Sequence, residues 1–534
     1  MRRLLAAAAV AAHVTAALPT PPSMQPSGFV GAPPRGRKAA LQQRFRGGAA
    51  HPAIADATQC PADDEHCLAA GEVVYAGTAE HEDAPKANSL ADIVRFAVPA
   101  LGIFVADPLL TIVDSAIVGR TVGPAALAAL NPATTLCGFC VFVFSFLPRA
   151  TTGLVARRSS HDQARAAVAL PLNVALLCGT ALLALLGVAN RPLLKLLTAT
   201  ASRAALLPQA SAYVAVRALG MPAQLMTSVT VASLLATREV KAPLVAVLSA
   251  ALCNLVADTL LCVWPLRLGV EGAAAATVVS AYLGLGLLLR ALAKRDLLPR
   301  ASEVFSLPTW AKTAPLLEYA GPLTVVTAMR LFGFAAMVRT VSKMGPVAVA
   351  GYQCVVSLFI FFTLFAEPLS QAAQALLPPL LPVRRSGAAG AAAGAPAPAP
   401  APAPAPVLFK RLVGLAGVTG AVVTVLTSLA LARARAFTTD AAVLAQIQAM
   451  APPMLIATML ACVNTVVDGS LLALKDFKFL TTISTVTALL QLPALAVVAA
   501  SGLGAPAVFA TFALRLAVFG LAGAARLRYS AGLL

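Results

Sequence analysis

The sequence that decides the fold runs F-A-V-P at Phe96–Pro99, V-D-S-A-I-V-G-R at Val113–Arg120 and G-P-A-A-L-A-A-L at Gly123–Leu130. It returns in altered form between Leu317 and Ala375, as Y-A-G-P at Tyr319–Pro322 and G-P-V-A-V-A-G-Y at Gly345–Tyr352. Further along, S-L-L-A-T-R-E-V-K at Ser233–Lys241 is matched by S-L-L-A-L-K-D-F-K at Ser470–Lys478. The chain is therefore an internal duplication. The copies differ in one respect that bears on chemistry: Asp114 lies within the first apolar stretch, where the second offers only Ala335, Ala336 and Met337.

Around these anchors the 534 residues are 59% hydrophobic and only 12% charged, with a mean hydropathy of +0.82. Such values belong to polytopic membrane proteins rather than soluble domains. A helical span takes roughly 20 apolar residues at 1.5 Å each. Segments of that kind fall at 91–118, 126–149, 164–188, 209–235, 242–264, 270–293, 314–341, 347–377, 407–432, 444–473, 479–500 and 504–526. The expected fold is all-α, with twelve transmembrane helices in two pseudo-symmetric six-helix bundles: an N-lobe at 91–293, a connecting loop at 294–313 and a C-lobe at 314–528. An even number of helices per copy makes both face the same way, so the pseudo-twofold axis runs along the membrane normal.

Basic residues set the orientation. Loops after even-numbered helices carry sixteen Lys and Arg, among them Arg157, Arg158, Arg238 and Lys475, against eight after odd-numbered helices. Even loops and both termini are thus expected on the inner side. The net charge of +18 is absorbed by this asymmetry and by a basic leader, so no nucleic-acid partner is expected. Of the nine cysteines, Cys137 and Cys140 have a C-x-x-C spacing inside an apolar run and read as helix-packing residues. Cys60 and Cys67, in C-P-A-D-D-E-H-C, could close a disulfide or hold a metal with His66. All five histidines (His13, His51, His66, His81 and His161) fall outside the expected helices, which disfavours His-dependent hydrolysis or a His-ligated metal in the membrane.

Residues 1–50 hold seven Arg and Lys and no acid. Their opening M-R-R-L-L-A-A-A-A-V-A-A-H-V-T-A-A has a basic start, a short apolar run and small residues near Ala17, as signal peptides do. With the acid-free S-G-F-V-G-A-P-P-R-G-R-K that follows, and Phe29 within it, this resembles a bipartite plastid-targeting leader; a plain secretory or mitochondrial leader is the alternative. Residues 51–90 are expected to form a disordered polar spacer. The linker 382–406 ends in six Ala-Pro units at Ala395–Pro406 and is expected to be an extended spacer between helices 8 and 9.

An ionisable group in the bilayer costs several kcal/mol, so each intramembrane acid needs a purpose. Asp107 and Asp114 are two turns apart on one face of helix 1, and Pro99, two turns before Asp107, offers a bend. Asn254 and Asp258 share a face of helix 5 at i,i+4. Thr277 follows the small residues G-A-A-A-A in helix 6, which permit close helix approach. In the second half Glu318, Glu367 and Asp468 read as isolated acids, Asp468 being the best secondary candidate. Arg217, Arg330, Arg339 and Arg515 lie within spans; Arg330 and Arg339 are half a turn out of phase, so only one should face a cavity. An acid kept at Asp114 in the first copy and absent from the matching stretch of the second is what a secondary transporter with a single coupling-ion site would carry.

V-D-S-A-I-V-G-R-T-V-G-P-A-A-L-A-A-L, N-L-V-A-D-T-L-L at Asn254–Leu261, G-V-E-G-A-A-A-A-T at Gly269–Thr277 and D-G-S-L-L-A-L-K-D-F at Asp468–Phe477 together resemble the multidrug and toxic compound extrusion (MATE) transporters over nearly all of residues 91–528. F-V-A-D-P-L at Phe104–Leu109 is nearest the DinF-like branch that includes plant citrate and salicylate exporters. The resemblance implies a non-enzymatic, monomeric antiporter in the lipid bilayer, exporting an organic acid, phenolic or drug-like cation against H⁺ or Na⁺ with no other cofactor. It assigns Asp114, Asn254, Asp258 and Thr277 to cation coupling, with any Na⁺ at Asp114, Asn254 and Asp258, and Pro99 to the hinge. Asp107, Asp468, Arg330 and Arg339 are secondary candidates. At Leu110 the sequence departs from prokaryotic members with Tyr one turn before the acid. Two rivals remain: a lipid-linked-precursor flippase, which would gather basic residues centrally, and an intramembrane aspartyl enzyme, which the duplication disfavours.

Overall fold

The computed structural model describes residues 89–381 and 404–533, apart from 123, 159, 198–202, 264, 307–309, 437, 439 and 532. The leader 1–50, the spacer up to residue 88, the Cys60–His66–Cys67 cluster and most of the 382–406 linker lie outside the described residues. Ser89 caps the first helix reciprocally with Asp92: the Asp92 N–H donates to Ser89 Oγ at 3.2 Å and the Ser89 N–H donates to Asp92 Oδ2 at 2.9 Å. This capping box satisfies amides that a helix start otherwise leaves bare.

That helix, α1, spans Leu90–Thr121, and α2 follows in two pieces, Pro124–Phe142 and Phe146–Val155. Then come α3 (His161–Leu197), α4 (Arg203–Ala218 and Met221–Ala236), α5 (Lys241–Asp258) and α6 (Gly269–Lys294). The second half contains α7 (Trp310–Ser342), α8 (Pro346–Thr363 and Glu367–Leu376), α9 (Pro404–Ala432), α10 (Ala441–Ala473), α11 (Phe477–Ser501) and α12 (Gly504–Ala531). Eleven spans are long and apolar enough to cross a membrane, and the two pieces of α4, bent by 52° at their junction, make a twelfth. No strand occurs among the described residues.

Two expectations are corrected. His161 is not outside the helices but opens α3. The last Ala-Pro units are not all linker, because Pro404, Ala405 and Pro406 form the first turn of α9. Proline is tolerated there since the first-turn amides have no intrahelical acceptor to lose, and Ala405 and Leu408 are fully buried.

Within the N-lobe α1 packs on α5, α5 on α6, and α3 on the second half of α4; in the C-lobe α10 packs on α8, α9 and α12, and α7 on α11. The lobes join through the two short half-helices, in a pseudo-symmetric exchange. The second half of α8 packs on α1, and the second half of α2 packs on α7. Small side chains permit this: Ala372 and Ala373 are fully buried, and a Cβ on Gly153 would come within 2.6 Å of the Tyr319 ring. Tyr319 meets Phe477 edge-on at 4.8 Å. Beside it, the Arg157 guanidinium crosses between lobes to the Ala473 carbonyl. Lys475 lies over the Tyr319 ring at 5.0 Å and 3.6 Å from Glu318; Glu318 is thus paired, not isolated. Burial holds the Lys475 ammonium below the ordinary lysine range, with Glu318 pulling the other way. All these contacts gather on the even-loop side.

Candidate functional site

α5 shows how the sequence places its polar groups. Leu252, Leu255 and Val256 are 62%, 41% and 51% exposed, toward where lipid would lie, while Asn254 and Asp258 are fully buried. The i,i+4 spacing puts amide and carboxylate on the same inward stripe. Asp114 approaches from α1, half-buried.

The Asn254 amide is the hub. Its Nδ2 donates to Asp114 Oδ1 at 2.9 Å and to Asp258 Oδ2 at 3.0 Å. Its carbonyl oxygen accepts from Ser280 Oγ on α6 at 3.1 Å. Both N–H bonds of a primary amide are thereby used, one per carboxyl group. Asp258 Oδ1 is buried and has no hydrogen-bond partner among the described residues. A carboxyl oxygen in that condition costs free energy unless a proton or cation completes it. The carboxyl oxygens of Asp114 and Asp258, joined through Asn254, suit H⁺ or a hard monovalent cation.

Immediately after Asp258 the helix widens into a π-helical turn, Thr259–Val263, a local form that recurs at functional sites. No residue pattern announces it. Thr277, placed by the sequence in the cation site, lies on α6 but donates to the Ala273 carbonyl of its own helix at 2.9 Å. The α6 hydroxyl that reaches Asn254 is Ser280, which the sequence reading missed. A cavity of about 360 Å³ opens beside Asp114, lined also by Asp107, Thr134, Tyr213, Arg217, Gln224 and Thr277. Arg217 donates to Gln224 Oε1 at 3.2 Å.

A second cavity, of about 240 Å³, with an apolar wall and a few charged residues, lies in the C-lobe and touches Arg149 of α2. There Asp468 is paired: Arg330 donates to its Oδ1 at 2.9 Å. Asp468 therefore does not repeat the Asp258 arrangement, because a guanidinium satisfies it. Arg330 and Arg515 line the same cavity, so these arginines converge where the sequence showed them scattered over separate helices; Arg339 is exposed and not among the lining residues. At the positions aligned with Asp114 and Asp258, Ala336 and Leu495 pack in an apolar C-lobe core. Pro99 lies inside α1, which continues as a helix through both Pro99 and Pro108.

With this geometry in view, comparison with known proteins is informative. Residues 99–260 match the MatE family model. The chain is 25% identical over 420 residues to Protein DETOXIFICATION 47, chloroplastic, of Arabidopsis thaliana, covering 78% of this chain and 74% of that protein. It is 34% identical over 201 residues to DNA damage-inducible protein F of Escherichia coli K12, covering 36% of this chain and 43% of that one. Among solved structures, a MOP superfamily transporter from Pyrococcus furiosus superposes with a TM-score of 0.69 at 16% identity, over 83% of this chain and 96% of the other. At that identity the likeness speaks to the fold.

Proposed function

We propose that the chain is a MATE-type membrane transporter, as its MatE match over residues 99–260, its DETOXIFICATION relative and its fold support, and that it works as a secondary active antiporter expelling an organic solute in exchange for H⁺ or Na⁺. The observation that carries this reading is the Asn254 amide joining Asp114 to Asp258 while Asp258 Oδ1 stays buried without a partner. Two carboxylates bridged by one neutral amide cannot both stay charged cheaply in a low-dielectric site. Taking up one cation relieves that penalty, and losing it restores it. An ion gradient can thereby drive a conformational cycle. Pro99, in the same helix as Asp114, supplies a point at which α1 can yield. The expected working unit is a monomer.

A flippase for a lipid-linked precursor is less well supported. Arg149, Arg330 and Arg515 do gather in one cavity, as that reading asks, but Arg330 is paired with Asp468. The cavity, at about 240 Å³, is below the ~300 Å³ at which pockets for drug-sized ligands begin, too small for a lipid-linked precursor. We also place the protein in a plastid membrane. The basic, acid-free leader supports this, as does the chloroplastic designation of the Arabidopsis relative. The antiport reading is tested in inverted vesicles carrying the full chain, with imposed H⁺ or Na⁺ gradients and a panel of organic acids and organic cations. Uptake that follows one of the two gradients is expected. Uptake that ignores both, with solute merely equilibrating, would overturn it.

A further inference from the structure

We propose that the C-lobe cavity is a binding site for a singly charged organic anion with a ring-sized apolar body, the acidic group held by Arg515. The proposal rests on the transporter reading for its purpose and names the substrate class; the binding itself needs no ion gradient.

Arg515 on α12 is 9% exposed. Its guanidinium donates to Gln491 Oε1 at 3.0 Å and to the Met329 carbonyl at 3.3 Å. Both acceptors are neutral, and no ion pair to Arg515 is found among the described residues. Gly333 on α7 leaves the space the guanidinium occupies, since any Cβ there would collide with it. Three elements thus hold a cation in the membrane interior without an anion to answer it. Such a charge is costly unless something pairs with it in use.

The charge inventory gives the valence. Arg149, Arg330 and Arg515 line the cavity with Asp468 and Glu367, and Arg330 is already paired with Asp468. Three positive charges against two negative leave one in surplus, enough for one anionic group and not for three. Hydrogen-bond donors are also in surplus. Ser484, 2% exposed and in the cavity lining, has an Oγ with no partner, and so has the Nε2 of Gln491 beside Arg515. An acidic group seated between Arg515 and Ser484 would use both.

The remaining wall is aromatic. Phe512 packs against Phe334 at 5.2 Å and Phe359 at 5.3 Å between ring centroids, and all three line the cavity. Flat apolar faces next to a buried guanidinium suit a ring carrying one acidic group better than a small polyanion, which would leave charges facing phenyl rings.

The test uses the full chain in lipid nanodiscs, with 1-naphthoate, citrate and benzyltrimethylammonium titrated by calorimetry against empty nanodiscs. Saturable 1-naphthoate binding is expected, at least about tenfold tighter than either of the others, and Arg515→Gln should weaken it by about tenfold or more. Ser484→Ala, which only deletes a hydroxyl, should weaken it about threefold while thermal unfolding stays unchanged, so the proposal remains testable if Arg515→Gln fails to fold. No binding of 1-naphthoate, equal binding of citrate or the cation, or unchanged affinity in Ser484→Ala and in any folded Arg515→Gln would overturn it. If 1-naphthoate binds but no gradient drives transport, the antiport reading falls and this site stands; if transport follows a gradient and 1-naphthoate does not bind, the reverse holds.

Discussion

Asn254 reaches across 140 residues of chain to donate a 2.9 Å hydrogen bond to Asp114, so that α1 and α5 are joined by a polar contact in an otherwise apolar interface. The same nitrogen donates to Asp258 within its own helix. Any change in the protonation or cation occupancy of one carboxyl group is therefore felt by the other through a single amide.

This coupling makes the carboxyl groups separately essential. Asp114→Asn and Asp258→Asn each remove the ionisable function with little change in volume, and each should abolish gradient-driven solute uptake. The proteins should still fold, because a neutral amide in place of a buried carboxylate relieves a charge. Uptake in inverted vesicles together with thermal unfolding checks both halves of the prediction. Normal uptake by either variant would remove that residue from the coupling role.

Ser280 and Thr277 can be told apart. Ser280→Ala deprives the Asn254 carbonyl of its donor, costs about 1 kcal/mol, and frees the amide to rotate away from the carboxyl pair. A clear loss of apparent affinity for the coupling ion is expected. Thr277→Val removes a hydroxyl that is bonded to the Ala273 carbonyl in its own helix, so its effect should be smaller. Ion-dependent uptake curves for the two variants settle the order, and a larger effect for Thr277→Val would reassign the α6 partner.

What the sequence made legible follows from local spacing and from the cost of burying charge. Asp114, Asn254 and Asp258 stood out because polar groups at helical spacing in an apolar run have few innocent uses. Thr277 and Ser280 are three residues apart on one helix, and only the rotation of α6 against α5 decides which of them faces Asn254. Asp468 looked isolated because its partner Arg330 is 138 residues away. The convergence of Arg515 with Arg330 depends likewise on how α12 packs beside α7. The twelve spans were readable from hydropathy, but a hydropathy window runs straight through the Gly220–Pro222 break at which α4 bends by 52°, and the widened turn after Asp258 left no compositional mark.

The even-loop contact between lobes depends on the absence of a side chain. Gly153→Val would drive atoms into the Tyr319 ring, which is 1% exposed and held by Phe477, so the lobes should separate on that side. Increased alkylation of a cysteine introduced at Ala156 is the expected readout. Lys475→Met should instead change stability by less than about 1 kcal/mol, since burial already disfavours the ammonium and its partner Glu318 is 57% exposed. A large loss of stability in Lys475→Met would show that the ion pair, and not the glycine–tyrosine contact, fastens the lobes.

The leader is open to direct measurement. A fluorescent protein fused after residue 60 should enter plastids, given the basic, acid-free first 50 residues. The chain beginning at residue 85, carrying every described helix, should transport as the full chain does. Retention of the fusion in the secretory pathway or delivery to mitochondria would refute the plastid placement without touching the transport reading.

The last prediction concerns α1 itself. Proline at 99 and at 108 removes two amides that would have bonded the carbonyls of Arg95 and Phe104, yet the helix continues through both. Each interior proline costs a helix roughly 3 kcal/mol, so α1 is held helical through both positions by its packing and not by its own ladder alone. About four turns separate Pro99 from Asp114. Cation uptake at Asp114 weakens the demand for a hydrated cavity beside it, and α1 can then bend at the weak point and narrow the N-lobe cavity, expelling solute. Pro99→Ala restores the missing hydrogen bond and stiffens that point while leaving every carboxyl and amide of the site in place. Turnover should therefore fall several-fold with ion binding largely kept, as measured by uptake rates beside calorimetric ion titration. Unchanged turnover would mean that α1 does not bend at Pro99 in the cycle, and loss of ion binding would mean that Pro99 shapes the site directly.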